Sequence, residues 1–152
     1  METDIPLLDM LLRLSVASGL ALLLGLEREL RGKPAGLRSH MLVSLGAAAF
    51  IIMGMSILFA TAEGDPSARI DPTRVVQGII GGIGFLGAGC IIRSGTDVQG
   101  ITTGASIWLA GAIGVAAGIN NFALAAMVTA LALVITTVLG RFERDVIQEA
   151  KD

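Results

Sequence analysis

The residues able to do chemistry concentrate in one stretch, Gly25 to Val43, which reads GLERELRGKPAGLRSHMLV. Glu27, Arg28, Glu29, Arg31, Lys33, Arg38 and His40 form a polar island between two long apolar runs. Charges this dense beside a bilayer-length apolar run mark the edge of a membrane. Gly32, Pro34 and Gly36 interrupt regular helix, so the island is expected to fold as a structured loop. A second, shorter polar segment, RSGTDVQG, supplies Arg93 and Asp97.

Magnesium is held by one or two carboxylates with retained waters, and Glu27, Glu29 and Asp97 are the weak candidates for such a site. The alternative is that Glu27 and Glu29 neutralise Arg28, Arg31 or Arg38 at the membrane edge. Glu63, Asp65 and Asp71 could hold a divalent cation loosely, or simply be a solvated loop. Other chemistry is poorly served. One Cys and one His cannot make a tetrahedral zinc site or an internal disulfide, and Cys90 reads as a small buried apolar residue. His40 has no serine or cysteine nucleophile at a recognisable spacing. GIGFLG lies inside an apolar run with no preceding strand and no following lysine, against a phosphate loop. No catalytic residue and no nucleic-acid partner are expected.

The elements that must position these residues are membrane helices. The 152 residues are 53% hydrophobic and 16% charged, with a mean hydropathy of +0.77, too apolar for an ordinary soluble protein. The acidic start METDIPLLDM does not suit a cleaved signal peptide, so the first apolar run is expected to be retained. The fold class is all-α, polytopic, with five transmembrane helices at about Pro6 to Leu26, Met41 to Ala60, Val75 to Ile92, Ile101 to Gly118 and Phe122 to Gly140. Residues 1–140 make the membrane domain and 141–152 a short charged tail. Asp9 and Arg13, four apart, share one face of the first helix. Arg13 either pairs with Asp9 and snorkels outward or faces the bundle interior.

The third helix carries six glycines in GIIGGIGFLGAG, which lets helix backbones approach closely in a membrane. Gly78, Gly82, Gly84 and Gly87, with Gly114 on the fourth helix, are the expected contact between those two helices, and Trp108 is expected to pack against the glycines. Basic residues set the orientation. Arg28, Arg31, Lys33, Arg38, Arg93, Arg141, Arg144 and Lys151 lie at one end and only Arg69 and Arg74 at the other, which places the polar loops and tail in the cytoplasm and the N-terminus outside.

LGLERELRGKPAGLRSHMLVSLGAA, followed by GIGFLGAGCIIRSGTDVQGITTGASIWLAGAIGVAAG, resembles the MgtC/SapB family of bacterial inner-membrane proteins. The resemblance covers about residues 10 to 140 and maps motif residues onto Glu27, Arg28, Lys33, Pro34, Gly36, Arg38 and His40, and onto Gly87, Gly89, Gly100, Thr103 and Trp108. It implies a non-enzymatic inner-membrane protein that modulates magnesium homeostasis or another membrane complex, as a regulator that inhibits the membrane ATP synthase would. It implies no cofactor beyond Mg2+. Virulence-type members carry a soluble C-terminal domain, whereas this chain runs about a dozen residues past the fifth helix. Asn and Cys of the virulence-type pattern are replaced by Thr102 and Leu109. A small magnesium or other cation transporter is the competing function, with no acidic residue in helices two to five to support it. Self-association is an open expectation.

Shifting the chain by 64 residues places Gly25 on Gly89, Gly36 on Gly100, Leu37 on Ile101, Ser39 on Thr103 and Leu45 on Leu109. Two helical hairpins of one orientation, plus a fifth helix, would follow. That arrangement would gather Glu27, Arg28, Lys33, Arg38 and His40 with Arg93, Asp97 and Thr103 as a ligand or partner site.

Overall fold

In the computed structural model, which describes residues 5–64 and 71–142, five helices and one β-hairpin make a single bundle. α1 spans Leu7–Leu30, α2 Leu37–Gly64, α3 Thr73–Gly89, α4 Ile101–Gly118 and α5 Phe122–Val134, the last continuing as a π-helical turn over Ile135–Leu139. Four helices are long and apolar enough to cross a membrane. α3, with 17 residues, reaches about 25 Å at ~1.5 Å per residue. The charged tail beyond Phe142, with Arg144 and Lys151, and Asp65, Arg69 and the Glu63 side chain lie outside the described residues.

The island is mostly helix, not loop. α1 continues through Glu27, Arg28 and Glu29 to Leu30, because nothing before Gly32 obliges the chain to leave helical geometry. It ends in a Schellman cap: Gly32 takes φ +62, its N–H reaches Glu29 O at 2.9 Å, and Lys33 N–H reaches Arg28 O at 3.0 Å. Asn120, at φ 66, ends α4 the same way, with Asn121 N–H on Ala116 O at 2.8 Å. Asn121 then caps α5 through its side chain, accepting from Leu124 N–H at 3.1 Å.

The segment expected as a plain polar loop is an antiparallel hairpin, β1 Ile92–Ser94 and β2 Asp97–Gln99, turning at Gly95 with φ +63.

α2 and α4 form the centre. Their contact runs in parallel, from His40 beside Ser106 to Ala48 beside Gly118. α1 packs on α2, α4 and α5, and α3 leans chiefly on α4. The connections within the two hairpins, 31–36 and 90–100, therefore lie at one end of the bundle, the loop end, and the α4–α5 turn lies at the opposite, turn end. The shared orientation agrees with the 64-residue shift, but the packing departs from it. α1 packs on both central helices, whereas its counterpart α3 packs chiefly on α4 and only lightly on α2.

The glycine expectations need correction. A Cβ at Gly78, Gly82 or Gly84 would meet nothing within 4 Å. The α3–α4 crossing is made instead by Gly87 and Gly104, where a Cβ on Gly104 would come within 2.6 Å of Gly87 O. Gly111 receives Ile83, and Gly114 packs on α2 at Ser44 and Ala47, not on α3. The pattern of small residues was visible in the sequence, but Gly78 and Gly82 of α3 line an open groove instead of a helix contact.

Candidate functional site

Glu29 explains the spacing of RGKPAG. The carboxylate at the end of α1 accepts the Leu37 N–H at 2.9 Å, satisfying one of the first-turn donors of α2. Gly36 has no side chain because a Cβ there would run into the Glu29 carboxylate. Gly25 lets the helices meet, with its Cβ position 2.9 Å from Leu37 Cα. Lys33 and Arg38 are exposed, while Ala35 tucks into the core.

Below this loop sits a buried polar cluster of Glu27, Arg28, His40, Ser44, Thr103 and Ser106. His40, fully buried, lies 2.8 Å from Gly36 O through Nδ1 and 3.1 Å from Ser106 Oγ through Nε2. A carbonyl can only accept, so Nδ1 carries the hydrogen. Ser106 Oγ also stands 2.8 Å from Thr103 O. At the Nε2 of a neutral imidazole the Ser106 hydroxyl donates the hydrogen bond. A protonated one donates to Ser106 Oγ, and the hydroxyl then turns to Thr103 O. The bundle thus supplies the serine neighbour that sequence spacing concealed, on a helix 66 residues away. The hydrogen bond between His40 and Ser106 ties α2 to α4.

Other ties complete the cluster. Ser44 Oγ donates to Ala17 O at 3.0 Å, joining α2 to α1. Arg28 Nη2 donates to Thr103 Oγ1 at 3.3 Å, joining α1 to α4. Arg31 Nε stands 2.6 Å from Glu27 Oε1, a charge contact off the hydrogen-bond line, and Arg31 Nη2 donates to Thr137 O at 3.2 Å. That carbonyl belongs to the π-helical turn of α5, where the i to i−4 ladder is broken and backbone oxygens are freed.

The structure brings Thr103 to Arg28, with Glu27 and His40 in the same buried cluster, but it does not bring Arg93 or Asp97. Arg93 Nε donates to Gly95 O at 3.1 Å, and Asp97 Oδ2 accepts from Gln99 Nε2 at 2.8 Å. Both are exposed on the hairpin, so the loop elongation carries them outward. Among the described residues, no three His, Cys, Asp or Glu side chains gather to hold a metal, and Glu27 and Glu29 are engaged elsewhere. Ser44, Ser106 and the Thr137 carbonyl were not singled out by sequence reasoning, whereas Arg31 was expected as a partner of Glu27 and meets it. The spacing of His40 and Ser44, four apart, was the available signal for the first. Cys90 is half-buried with Sγ 3.5 Å from Leu86 O, and Trp108 is nearly half-exposed, at 46%, edging a cleft with Ile79, Ile83 and Gly111.

At the turn end, both readings of Arg13 hold together. Its Nη2 is 2.6 Å from Asp9 Oδ2, and its Nη1 donates to Gly118 O at 2.9 Å, inside the bundle. Arg13 thereby binds a last-turn carbonyl of α4, where cations are favoured.

The MgtC family profile matches residues 14–145. The chain belongs to the MgtC family. It is 39% identical over 117 residues to Protein MgtC of Brucella abortus (strain 2308), covering 77% of this chain and 45% of that protein. It is 39% identical over 133 residues to Protein MgtC of Salmonella typhimurium (strain LT2), covering 86% of this chain and 53% of that protein. The chain spans about half the length of the curated relatives it matches. No solved structure matches it.

Proposed function

We propose that this MgtC-family membrane protein is non-enzymatic and acts by changing the activity of another membrane complex, in the magnesium homeostasis that the family resemblance implies. It sits in the bacterial inner membrane with the loop end in the cytoplasm. The observation that carries the reading is the groove between α2 and α3. It holds about 700 Å³ and is walled by apolar side chains such as Phe50, Met53 and Leu86, with Gly46, Gly54, Gly78 and Gly82 among its lining. From Leu42 to Ile57 it follows α2 for about 22 Å at ~1.5 Å per residue, most of a hydrocarbon core. Gly78 and Gly82, four apart with open faces, suit close backbone approach by an apolar transmembrane helix of a partner protein. The polar cluster, by contrast, ties the bundle to itself and sets the rigidity of the groove's α2 wall.

The test is reconstitution of the purified protein in liposomes, with magnesium flux measured against empty liposomes. No flux above the control is expected, and saturable flux would establish the transporter instead. In parallel, Gly82→Leu should fill the groove, leave the protein folded, and abolish its effect on growth in low magnesium. An unchanged growth effect with the groove filled would remove the partner-helix reading.

A further inference from the structure

Among the described residues, α5 alone changes its helical register part-way. It is α-helical over Phe122–Val134, π-helical over Ile135–Leu139 and α-helical again over 140–142. Such turns inside an α-helix are rare and recur at functional sites. The sequence brings the two forms close in energy here. Val134, Ile135, Thr136, Thr137 and Val138 are consecutive β-branched residues, which crowd an α-helical turn. Packing does not choose between the forms either. Ala132 is the last buried residue of α5, and none of Ile135–Leu139 is buried.

Hydrogen bonds choose instead. Within the turn, Leu133 O accepts the Thr137 hydroxyl at 2.5 Å and the Thr136 hydroxyl at 3.3 Å. From outside it, Arg31 Nη2 donates to Thr137 O at 3.2 Å. Arg31 is the C-cap of α1 and opens the 31–36 connection, and its Nε lies 2.6 Å from the buried Glu27 carboxylate. Gly140 makes room for this side chain, because a Cβ there would stand 2.8 Å from Arg31 Nη1. If the π turn closed to α-helix, the residues beyond it would turn by about 100° and advance by ~1.5 Å. Leu139 would then take the place of Gly140 and press its side chain into the guanidinium. A seated Arg31 and an α-helical end of α5 exclude one another.

We propose that the end of α5 is a two-register switch, held π-helical by Arg31 and released to α-helix when Arg31 is withdrawn. Lys33 and Pro34 are exposed in the 31–36 connection. A partner that engages this connection therefore pulls on the latch and turns Arg141 and Phe142 to a new face. The coupling joins the polar island to α5 without passing through the groove between α2 and α3, and it stands whether or not a partner helix lies there.

The experiment measures the distance between spin labels on Leu42→Cys of α2 and Phe142→Cys, both exposed positions. It uses the full chain with Cys90→Ser in lipid nanodiscs. Arg31→Gln should move the distance by several ångströms to one new peak. Deleting Thr136 removes the extra residue of the π turn, so that chain should keep the native distance with and without Arg31→Gln. Because Arg31 is mostly buried and its loss could unfold the loop end, Thr137→Val is the second variant. It removes the hydroxyl on Leu133 O and should move part of the population to the same new distance. An unchanged distance in both variants overturns the switch. So does a broad distribution that Arg31→Gln produces equally with and without Thr136, which would leave Arg31 as a tie alone.

Discussion

Single glycines differ in what surrounds them, and that difference decides what a methyl group would cost. Gly104 meets Gly87 O at 2.6 Å from a built Cβ, and Gly25 meets Leu37 Cα at 2.9 Å, both backbone atoms that cannot swing aside. Gly82 meets nothing within 4 Å. Gly104→Ala and Gly25→Ala should each lower stability in detergent by ~1–3 kcal/mol through overpacking. Gly82→Ala should be neutral or slightly stabilising, since alanine favours helix. Melting of the three variants side by side checks this, and a Gly82→Ala loss as large as that of Gly104→Ala would contradict the packing described. Composition showed that close helix contacts exist. Which glycine makes them was hidden, because α3 buries only the stripe of Ile79, Ile83 and Gly87, and its phase depends on a partner far away in sequence. Within the polar island the Gly32 cap and the bond from Leu37 N–H to Glu29 are local, whereas Arg28, Arg31 and His40 reach partners 75, 106 and 66 residues away.

At the scale of the element, caps place the helix ends more firmly than hydropathy does. Hydropathy ended α1 near Leu26, whereas Gly32 ends it, four residues further on at Leu30. α4 was placed at its observed limits because Gly100 and Asn120 bracket it. The β-hairpin was missed because the eight residues of RSGTDVQG hold little strand pattern, and only the Ser94–Gly95 step hinted at a tight turn. α3 starts on Asp71, whose carboxylate accepts the Thr73 hydroxyl at 2.7 Å and the Thr73 N–H at 2.9 Å. These hydrogen bonds, the hydroxyl first, hold the Asp71 carboxyl below its ordinary range. A carboxylate depressed on folding stabilises the fold above its unfolded value, and that contribution is lost as the pH falls through the folded value. The first turn of α3 should therefore lose amide protection, relative to intrinsic exchange, below about pH 4. Asp71→Ala should show the reduced protection already at neutral pH. Equal protection of Thr73 to Val75 in both proteins at neutral pH would show that the cap contributes nothing.

The whole molecule is closed at each end by an arginine from α1 that reaches another helix. Arg28 meets Thr103 at the loop end, and Arg13 meets Gly118 O at the turn end. Arg13 is the more consequential for stability, because it is buried, ion-paired with Asp9 and bonded to α4 at once. Asp9→Asn leaves its charge without a partner, and breaking such a pair costs up to about 3–5 kcal/mol when fully buried. The Asp9 side chain is 29% exposed, so the loss should fall below that range. Asp9→Leu with Arg13→Leu together removes both charges and should be less destabilising than Asp9→Asn alone. A double variant weaker than the single one would mean that the bond to Gly118 O, not the ion pair, dominates that end.

Charge also orients the molecule in its membrane. Among the described residues the loop end carries Arg28, Arg31, Lys33, Arg38, Arg93 and Arg141, and the turn end carries Arg74 with Arg13, whose charge Asp9 offsets. Short connections and helix ends rich in Lys and Arg stay in the cytoplasm, so the loop end should face inward. Lys33 is exposed in the 31–36 connection, and Ile119 is 43% exposed at the α4–α5 turn, which gives one reporter position for each end. In a Cys90→Ser background, a membrane-impermeant maleimide added to intact spheroplasts should label Ile119→Cys at once. It should label Lys33→Cys only after permeabilisation. Labelling in the reverse order would invert the protein and place the loop end outside.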